Sequence, residues 1–230
     1  MPTLQTKGDE EISVLVVDDH KAVAEAICGA MSSERGLHVQ ATWSGEAAVE
    51  AVEGGGPDVI LMDVTMPGIG GLEATRRIHT ADPDVKVIML SAHDDDLLKA
   101  RALEAGASGY LSKISPMDQL VAAVKRAHSG QPLHEQEEVD RLQRRLRRRR
   151  SLEESERERV ARLSGRETEI LQLAAEGLES QAIADRLGIS HATVRTHMAN
   201  ALTKLGVHSK TEAVVLAIRH GKVAADGPLA

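Results

Sequence analysis

The 230-residue sequence holds one cysteine, Cys28, two aromatic residues, Trp43 and Tyr110, and no phenylalanine. A single thiol excludes an intramolecular disulfide, fits a reducing compartment and leaves Cys28 to packing. So few rings exclude a base-stacking surface, because such platforms need aromatic faces. The cores must therefore be built from Leu, Val, Ile, Ala and Met. No apolar run approaches the roughly 18 residues that span a bilayer, and residues 1–12 are short and polar, unlike a signal peptide. The expectation is a soluble, cytoplasmic protein.

Positive charge is also scarce at first. Residues 1–130 carry 11 Lys and Arg against 20 Asp and Glu, a balance of −9, whereas residues 131–230 carry 17 against 15, or +2. A chain of this length accommodates two domains, and the charge asymmetry favours a second half that meets phosphates.

The first half is organised around Asp58 to Gly68, DVILMDVTMPG. Val59 to Met62 is an unbroken apolar run, as in a strand buried on both faces of a parallel sheet. It ends at Asp63, which places a carboxylate at the rim where open α/β sheets bind ligands, and Pro67-Gly68 turns the chain away. Around this strand the pattern predicts four more, at Ser13–Val17, Val39–Thr42, Val85–Leu90 and Ser108–Leu111. Helices are predicted at Lys21–Met31, Glu46–Glu53, Leu72–Ile78, Leu97–Glu104 and from about Pro116 to Ala127. Alternation of this kind implies a parallel sheet with right-handed crossovers. All strand ends then face one rim, which receives Asp18 and Asp19, Asp63, Ser91 and Lys113. Three carboxylates this close repel unless a cation binds them, and a hard divalent ion such as Mg²⁺ suits oxygen ligands. With an ammonium and a hydroxyl beside it, such a site can accept a phosphoryl group on Asp63.

The segments VVDDH, LMDVTMPG, MLSA and GYLSK, at these separations, resemble the receiver domain of bacterial two-component response regulators over about residues 13–130. The resemblance implies a flavodoxin-like fold with strand order 2-1-3-4-5 and Asp63 as phosphoacceptor. It further implies Asp19 and the Thr65 carbonyl as Mg²⁺ ligands with Asp18 assisting, and Ser91 and Lys113 as phosphoryl contacts. Tyr110 takes the place of the aromatic whose rotamer reports phosphorylation. Ile114 after Lys113 and the acidic run Asp94-Asp95-Asp96 are less typical.

From Glu135 to Arg162 nearly every residue is charged, six arginines fall between Arg144 and Arg150, and Gly and Pro are absent. Acid-before-base pairs four apart, Glu137/Arg141, Asp140/Arg144, Glu153/Arg157 and Glu158/Arg162, favour an exposed helix. Val139, Leu142, Leu146, Val160 and Leu163 trace a heptad seam, but Arg149, Glu153 and Glu156 interrupt it. A solvated helix, a broken dimerising one and a disordered segment all stay open.

In the second half, Ser164-Gly165-Arg166-Glu167 and Ser209-Lys210-Thr211-Glu212 read as capping boxes, and Gly177, Gly188, Gly206 and Gly221 as helix stops. Four helices follow, at about 165–176, 181–187, 191–205 and 210–220. The middle pair is joined by Gly188-Ile189-Ser190, the turn of a helix-turn-helix. Ile183, Leu187, Ile189, Val194, Met198 and Leu202 form its predicted core, leaving Thr193, Arg195, Thr196, Ala199 and Asn200 outward. The stretch from Leu163 to Val214 closely resembles the LuxR-type DNA-binding domain, and a receiver followed by this domain resembles the NarL/FixJ subfamily. The resemblance implies that the helix from His191 reads the major groove through Arg195 and Thr196, with His197, Lys204 and Lys210 on phosphates. It implies a dimerisation helix from Lys210 with Val214, Val215 and Ile218.

The expected organisation is an N-terminal tail (1–12), a receiver (13–130), a helical linker (131–162), an all-α four-helix DNA-binding domain (163–225) and a C-terminal tail (226–230). The expected function is transcriptional regulation, not enzymatic turnover. A sensor histidine kinase would phosphorylate Asp63, Mg²⁺ would be the cofactor, and the phosphorylated homodimer would bind promoter DNA. One alternative is a regulator whose receiver only binds proteins. Another is an aspartyl-phosphate phosphatase of the haloacid dehalogenase type, which needs a second acid where Thr65 stands.

Overall fold

The computed structural model describes residues 11–224; the sequence-expected tails fall almost wholly outside this range. The chain forms two compact units, one ending at Leu146 and the other beginning at Arg147. In the first, a five-stranded parallel sheet has the order β2-β1-β3-β4-β5. Its strands are β1 (Ile12–Val17), β2 (Leu37–Thr42), β3 (Val59–Asp63), β4 (Lys86–Ser91) and β5 (Gly109–Ser112). Between and after them lie α1 (Lys21–Met31), α2 (Gly45–Glu53), α3 (Gly70–Ala81), α4 (Asp96–Glu104) and α5 (Met117–His128).

The helices divide between the two faces of the sheet. Residues of α2, α3 and α4 (Ala48, Val52, Ala74, Ile78, Ala100) join Ile60, Met62, Val87 and Met89 in one buried cluster. Those of α1 and α5 (Ala24, Ile27, Met31, Leu120, Val124) join Val14, Val16, Leu61 and Ile88 in the other. Every residue of β3 is buried, as its apolar run requires of a central strand. The register carries the functional groups to one edge. Val17 pairs with Met62, Asp63 with Leu90 and Ser91 with Ser112, so Asp18, Asp63, Ser91 and Lys113 arrive at the rim in neighbouring rows.

A long helix, α6 (Gln136–Ala161), follows. It is a helix throughout, largely exposed from residue 147 to residue 158, with its apolar positions buried towards its two ends. In the first unit Leu142 and Leu146 are buried in the cluster that holds Tyr110 and Ala100. In the second unit Val160 and Leu163 are buried with Leu171, Leu205 and Leu216. Removing a leucine from water is worth about 1.5–3 kcal/mol, so each unit's own core claims the apolar positions that the heptad pattern assigned to a partner helix. The charges also find other partners than the pattern suggested. Arg141, expected to answer Glu137, lies 3.5 Å from Asp96, and Arg145 lies 2.8 Å from the same carboxylate.

The second unit continues with α7 (Gly165–Ala175), α8 (Ser180–Leu187), α9 (His191–Leu205) and α10 (Lys210–Arg219). Ser164 and Glu167 complete a capping box. Ser209 accepts from the Glu212 N–H, but Glu212 reaches past it to the His208 N–H, so the second box closes one residue early. Gly188 and Gly206 end α8 and α9 in the left-handed conformation, at φ 63° and 66°. Ile183 and Val194 are fully buried and Leu187, Ile189 and Met198 pack against them, as expected of a helix-turn-helix core; Leu202 packs in the adjacent cluster.

One glycine ties fold to site. A Cβ on Gly71, in the first turn of α3, would lie 1.9 Å from the Asp63 carbonyl oxygen. Gly71→Ala must therefore lift α3 off β3 and is expected to cost about 3 kcal/mol or more in urea unfolding. Gly29→Ala in α1, where nothing lies within 4 Å of the added carbon, should instead be neutral or stabilise by about 0.5–1 kcal/mol.

Candidate functional site

At the rim the Lys113 ammonium lies 2.6 Å from Asp18 Oδ2 and 2.9 Å from Asp63 Oδ2. Both carboxylates are buried, at 1% and 3% exposure. The Thr65 N–H donates to Asp63 Oδ1 at 3.3 Å. Burial is the largest influence on Asp63 and raises its carboxyl above the usual range, against the hydrogen bond and charge of Lys113. For Lys113, burial works against the charged form. The hydrogen bonds and charges of Asp18 and Asp63 outweigh it, and the ammonium is held more firmly protonated. One carboxylate is thus desolvated beside a fixed cation, electrostatics that suit attack on an anionic phosphoryl donor.

The tightest ligand group at the rim is Asp18, Asp19 and His20, whose ligand atoms lie within 4.8 Å of one another. His20 Nδ1 is 3.4 Å from Asp18 and 3.2 Å from Asp19. Asp63 is joined to this group through Lys113. Asp19 Oδ1, the oxygen 3.2 Å from His20 Nδ1, is buried and receives no well-directed hydrogen bond from it, and such a carboxylate oxygen suits a hard cation. The donor set therefore fits Mg²⁺.

The Ser91 and Tyr110 hydroxyls bond elsewhere than at Asp63. The Ser91 hydroxyl donates to the His93 carbonyl at 2.8 Å and accepts from the His93 N–H at 3.1 Å. Tyr110 is buried and its hydroxyl donates to Glu138 of α6 at 2.6 Å. That contact and burial push the phenol pKa well above its ordinary value, burial contributing most.

In the second unit, α9 presents Arg195, Thr196, Ala199 and Asn200 to solvent, with Thr193 and His197 half-buried. A helix carrying this row after a tight turn has the form that enters a major groove.

Residues 14–125 match the response regulator receiver domain, and residues 161–217 match the luxR family of bacterial regulatory proteins. The transcriptional regulatory protein DegU of Brevibacillus brevis is 39% identical over 94% of this chain and 97% of its own. The chain belongs to the NarL/FixJ response regulators. Response regulator UvrY of Escherichia coli K12 is 37% identical over 91% of this chain and 95% of its own. Among solved structures, the response regulator ChrA of a heme-sensing two-component system aligns with a TM-score of 0.51 at 31% identity, over 93% of this chain and 99% of that one. This response regulator is accordingly a phosphorylation-dependent transcriptional regulator whose receiver implies a sensor kinase and whose LuxR-type domain binds DNA. Among the described residues no helix is long and apolar enough to cross a membrane.

Several residues of the regulator make contacts within the domain that the sequence does not announce. Lys204, expected on a DNA phosphate, forms a 2.7 Å ion pair with Glu167, which is 4% exposed. Lys210 donates to the Leu178 carbonyl at 3.0 Å. Both ammonium groups therefore have partners within the domain. On α10, Val214 and Ile218 pack against the domain's own core, and only Val215 is well exposed, at 48%. The sequence reading did not single out His20, Glu138 or His134. His20 stood in view beside the acidic pair, whereas the other two lay in a linker whose charges hid them.

Burial is the largest influence on Glu167 and raises its carboxyl, but Lys204 and the Ser164 cap together hold it below the usual range. Lys204→Ala should therefore destabilise the regulator by about 3 kcal/mol at neutral pH, at the low end for a broken buried pair because the lysine is partly exposed. A group with a depressed folded pKa stabilises above its unfolded value and loses that contribution as pH falls. The gap between wild type and variant in urea unfolding should consequently narrow as the pH is lowered through about 4.

Proposed function

We propose that this regulator accepts a phosphoryl group on Asp63 from a sensor histidine kinase and, so modified, binds promoter DNA as a homodimer in the cytoplasm. The observation that carries the reading is the buried Asp18–Lys113–Asp63 arrangement. An Asp63 oxygen attacks phosphorus, the O–P bond forms as the donor's N–P bond breaks, and the leaving imidazole takes a proton. Lys113 lies within reach of the transferred group and neutralises part of its charge. Ser91 supplies a hydroxyl once it leaves His93. Asp19, Asp63 and the Thr65 carbonyl would hold Mg²⁺, with Asp18 assisting and His20 beside them. That ion supplies charge neutralisation at the phosphoryl oxygens. Turnover as a phosphatase is disfavoured, because Thr65 stands where such an enzyme needs its second acid. The complete rim also supports the phosphorylated reading over a receiver that only binds proteins.

On DNA, Arg195 is assigned to a base edge and Thr196 to an adjacent contact, with Thr193, His197 and Asn200 flanking them. Val215 is the residue of α10 best placed to meet a second copy.

Asp63→Asn should abolish Mg²⁺-dependent labelling by a small-molecule phosphodonor, since an amide is not a competent nucleophile; label persisting on another aspartate rules the assignment out. Arg195→Ala should weaken binding to a specific site by about 1–3 kcal/mol and relax preference at one base position. Equal loss on specific and random duplexes, measured at fixed salt, would reassign Arg195 to the phosphate backbone.

A further inference from the structure

The segment that joins Asp63 to α3 carries the Thr65 carbonyl and has little of its own to hold it. It spans residues 64–69, includes Pro67 and Gly68, and buries only the Met66 side chain. At its start the Val64 N–H donates to the Leu90 carbonyl at 3.1 Å, and the Thr65 N–H donates back to Asp63. At its end stands Ile69, which offers no side-chain acceptor to the opening turn of α3. The first N–H groups of a helix have no partners inside it, so this helix start depends on acceptors from elsewhere. The Val64 carbonyl supplies one, accepting the Gly71 N–H at 3.2 Å. The other belongs to a different helix: the Ile69 N–H donates to Glu46 Oε1 of α2 at 3.0 Å.

The surrounding residues are fitted to that bond. Ser44 caps α2 by accepting the Ala47 N–H at 3.2 Å, which sets Glu46 in the first turn. Gly45 lets α2 press against the start of α3, since a Cβ there would lie 3.0 Å from Ala74 Cβ and 3.0 Å from Ile69 Cγ1. Gly68, at φ 78°, bends the backbone close to the carboxylate, and a Cβ on it would collide with Glu46 Oε1. Hydrogen bonds to its own backbone N–H and to that of Ile69 hold the Glu46 carboxyl below its usual range, against a smaller effect of burial. Glu46 is itself exposed, so its contribution lies in this bond and not in packing.

We propose that Glu46 is a positioning residue for the divalent-ion site: by holding Ile69 it fixes the course of residues 64–69, so that the Thr65 carbonyl can serve the ion together with Asp19 and Asp63. This rests on the reading of Asp63 as phosphoacceptor with Mg²⁺ beside it. Glu46 acts through the backbone and not as a ligand. Its effect therefore falls on ion affinity and on the Mg²⁺ dependence of phosphoryl transfer, not on transfer once the ion is bound.

The test is a Mg²⁺ titration of the full chain followed by two-dimensional amide NMR, with labelling by a small-molecule phosphodonor measured over the same Mg²⁺ range. Glu46→Ala, at an exposed position, should weaken Mg²⁺ binding about 10-fold. The Mg²⁺ concentration for half-maximal labelling should rise by the same factor, while the rate at saturating Mg²⁺ returns to that of wild type. Glu46→Gln loses the charge but keeps an acceptor oxygen for Ile69, and should recover most of the affinity. A merely structural role would lower the urea stability of Glu46→Ala without moving either Mg²⁺ curve, and that result overturns the proposal. So does a Glu46→Gln variant as weak as Glu46→Ala, which would make Glu46 a distant charge and not a backbone anchor. If Mg²⁺ shifts no amide signal of residues 18–20 or 63–65 in wild type, or labelling persists in Asp63→Asn, the phosphoacceptor reading fails and the positioning role with it.

Discussion

Two buried carboxylates joined by a single ammonium are the constraint on which the receiver depends. An isolated charge buried away from water costs far more than a paired one, and in this structure Lys113 supplies the pairing for both Asp18 and Asp63. That requirement fixes the ends of three strands relative to one another: β1 delivers Asp18, β3 ends on Asp63, and Lys113 follows β5. The parallel register satisfies it without distortion, because the three residues fall in adjacent rows of the sheet. Gly71 completes the arrangement by letting α3 close on the Asp63 carbonyl. The same geometry leaves the Asp63 carboxylate desolvated beside a fixed cation, so what stabilises the rim is also what the proposed chemistry needs.

The strands and helices of the first unit were legible because burial imposes distinct periods on them. Val59–Met62 reads as a buried strand in any context that covers both faces, and Asp63 is conspicuous as the first polar residue after it. The helix-turn-helix was legible for a different reason: Gly188 and Gly206 mark left-handed stops that few other residues tolerate. What could not be read were pairings between residues distant in the chain. Nothing near Lys204 in the sequence announces Glu167, 37 positions away, and an exposed lysine on a recognition helix reads naturally as a phosphate contact. Ser91 was correctly placed at the rim. Its hydroxyl direction, however, depends on the His93 backbone and is a matter of loop conformation.

The linker's helix was legible, but where its leucines go was not. Its charge pattern favours an exposed helix and left open whether its heptad positions meet solvent or a second copy. A leucine on a charged helix is satisfied by any apolar surface within reach, and the receiver offers one that is covalently tethered. Intramolecular docking escapes the translational and rotational cost of association, so it takes precedence over a seam between chains whenever geometry permits. Gly109 is the feature that permits it here, by removing the side chain that would hold Leu133 and His134 away from β5.

The docked surface is mixed in character. Its apolar part is small, two leucines and the stacked His134 ring, and the rest consists of charged groups at the edge: Glu138 on Tyr110, and Arg141 and Arg145 on Asp96. Exposed ion pairs contribute little individually, so the contact is held mainly by Leu142, Leu146 and the Tyr110 side chain.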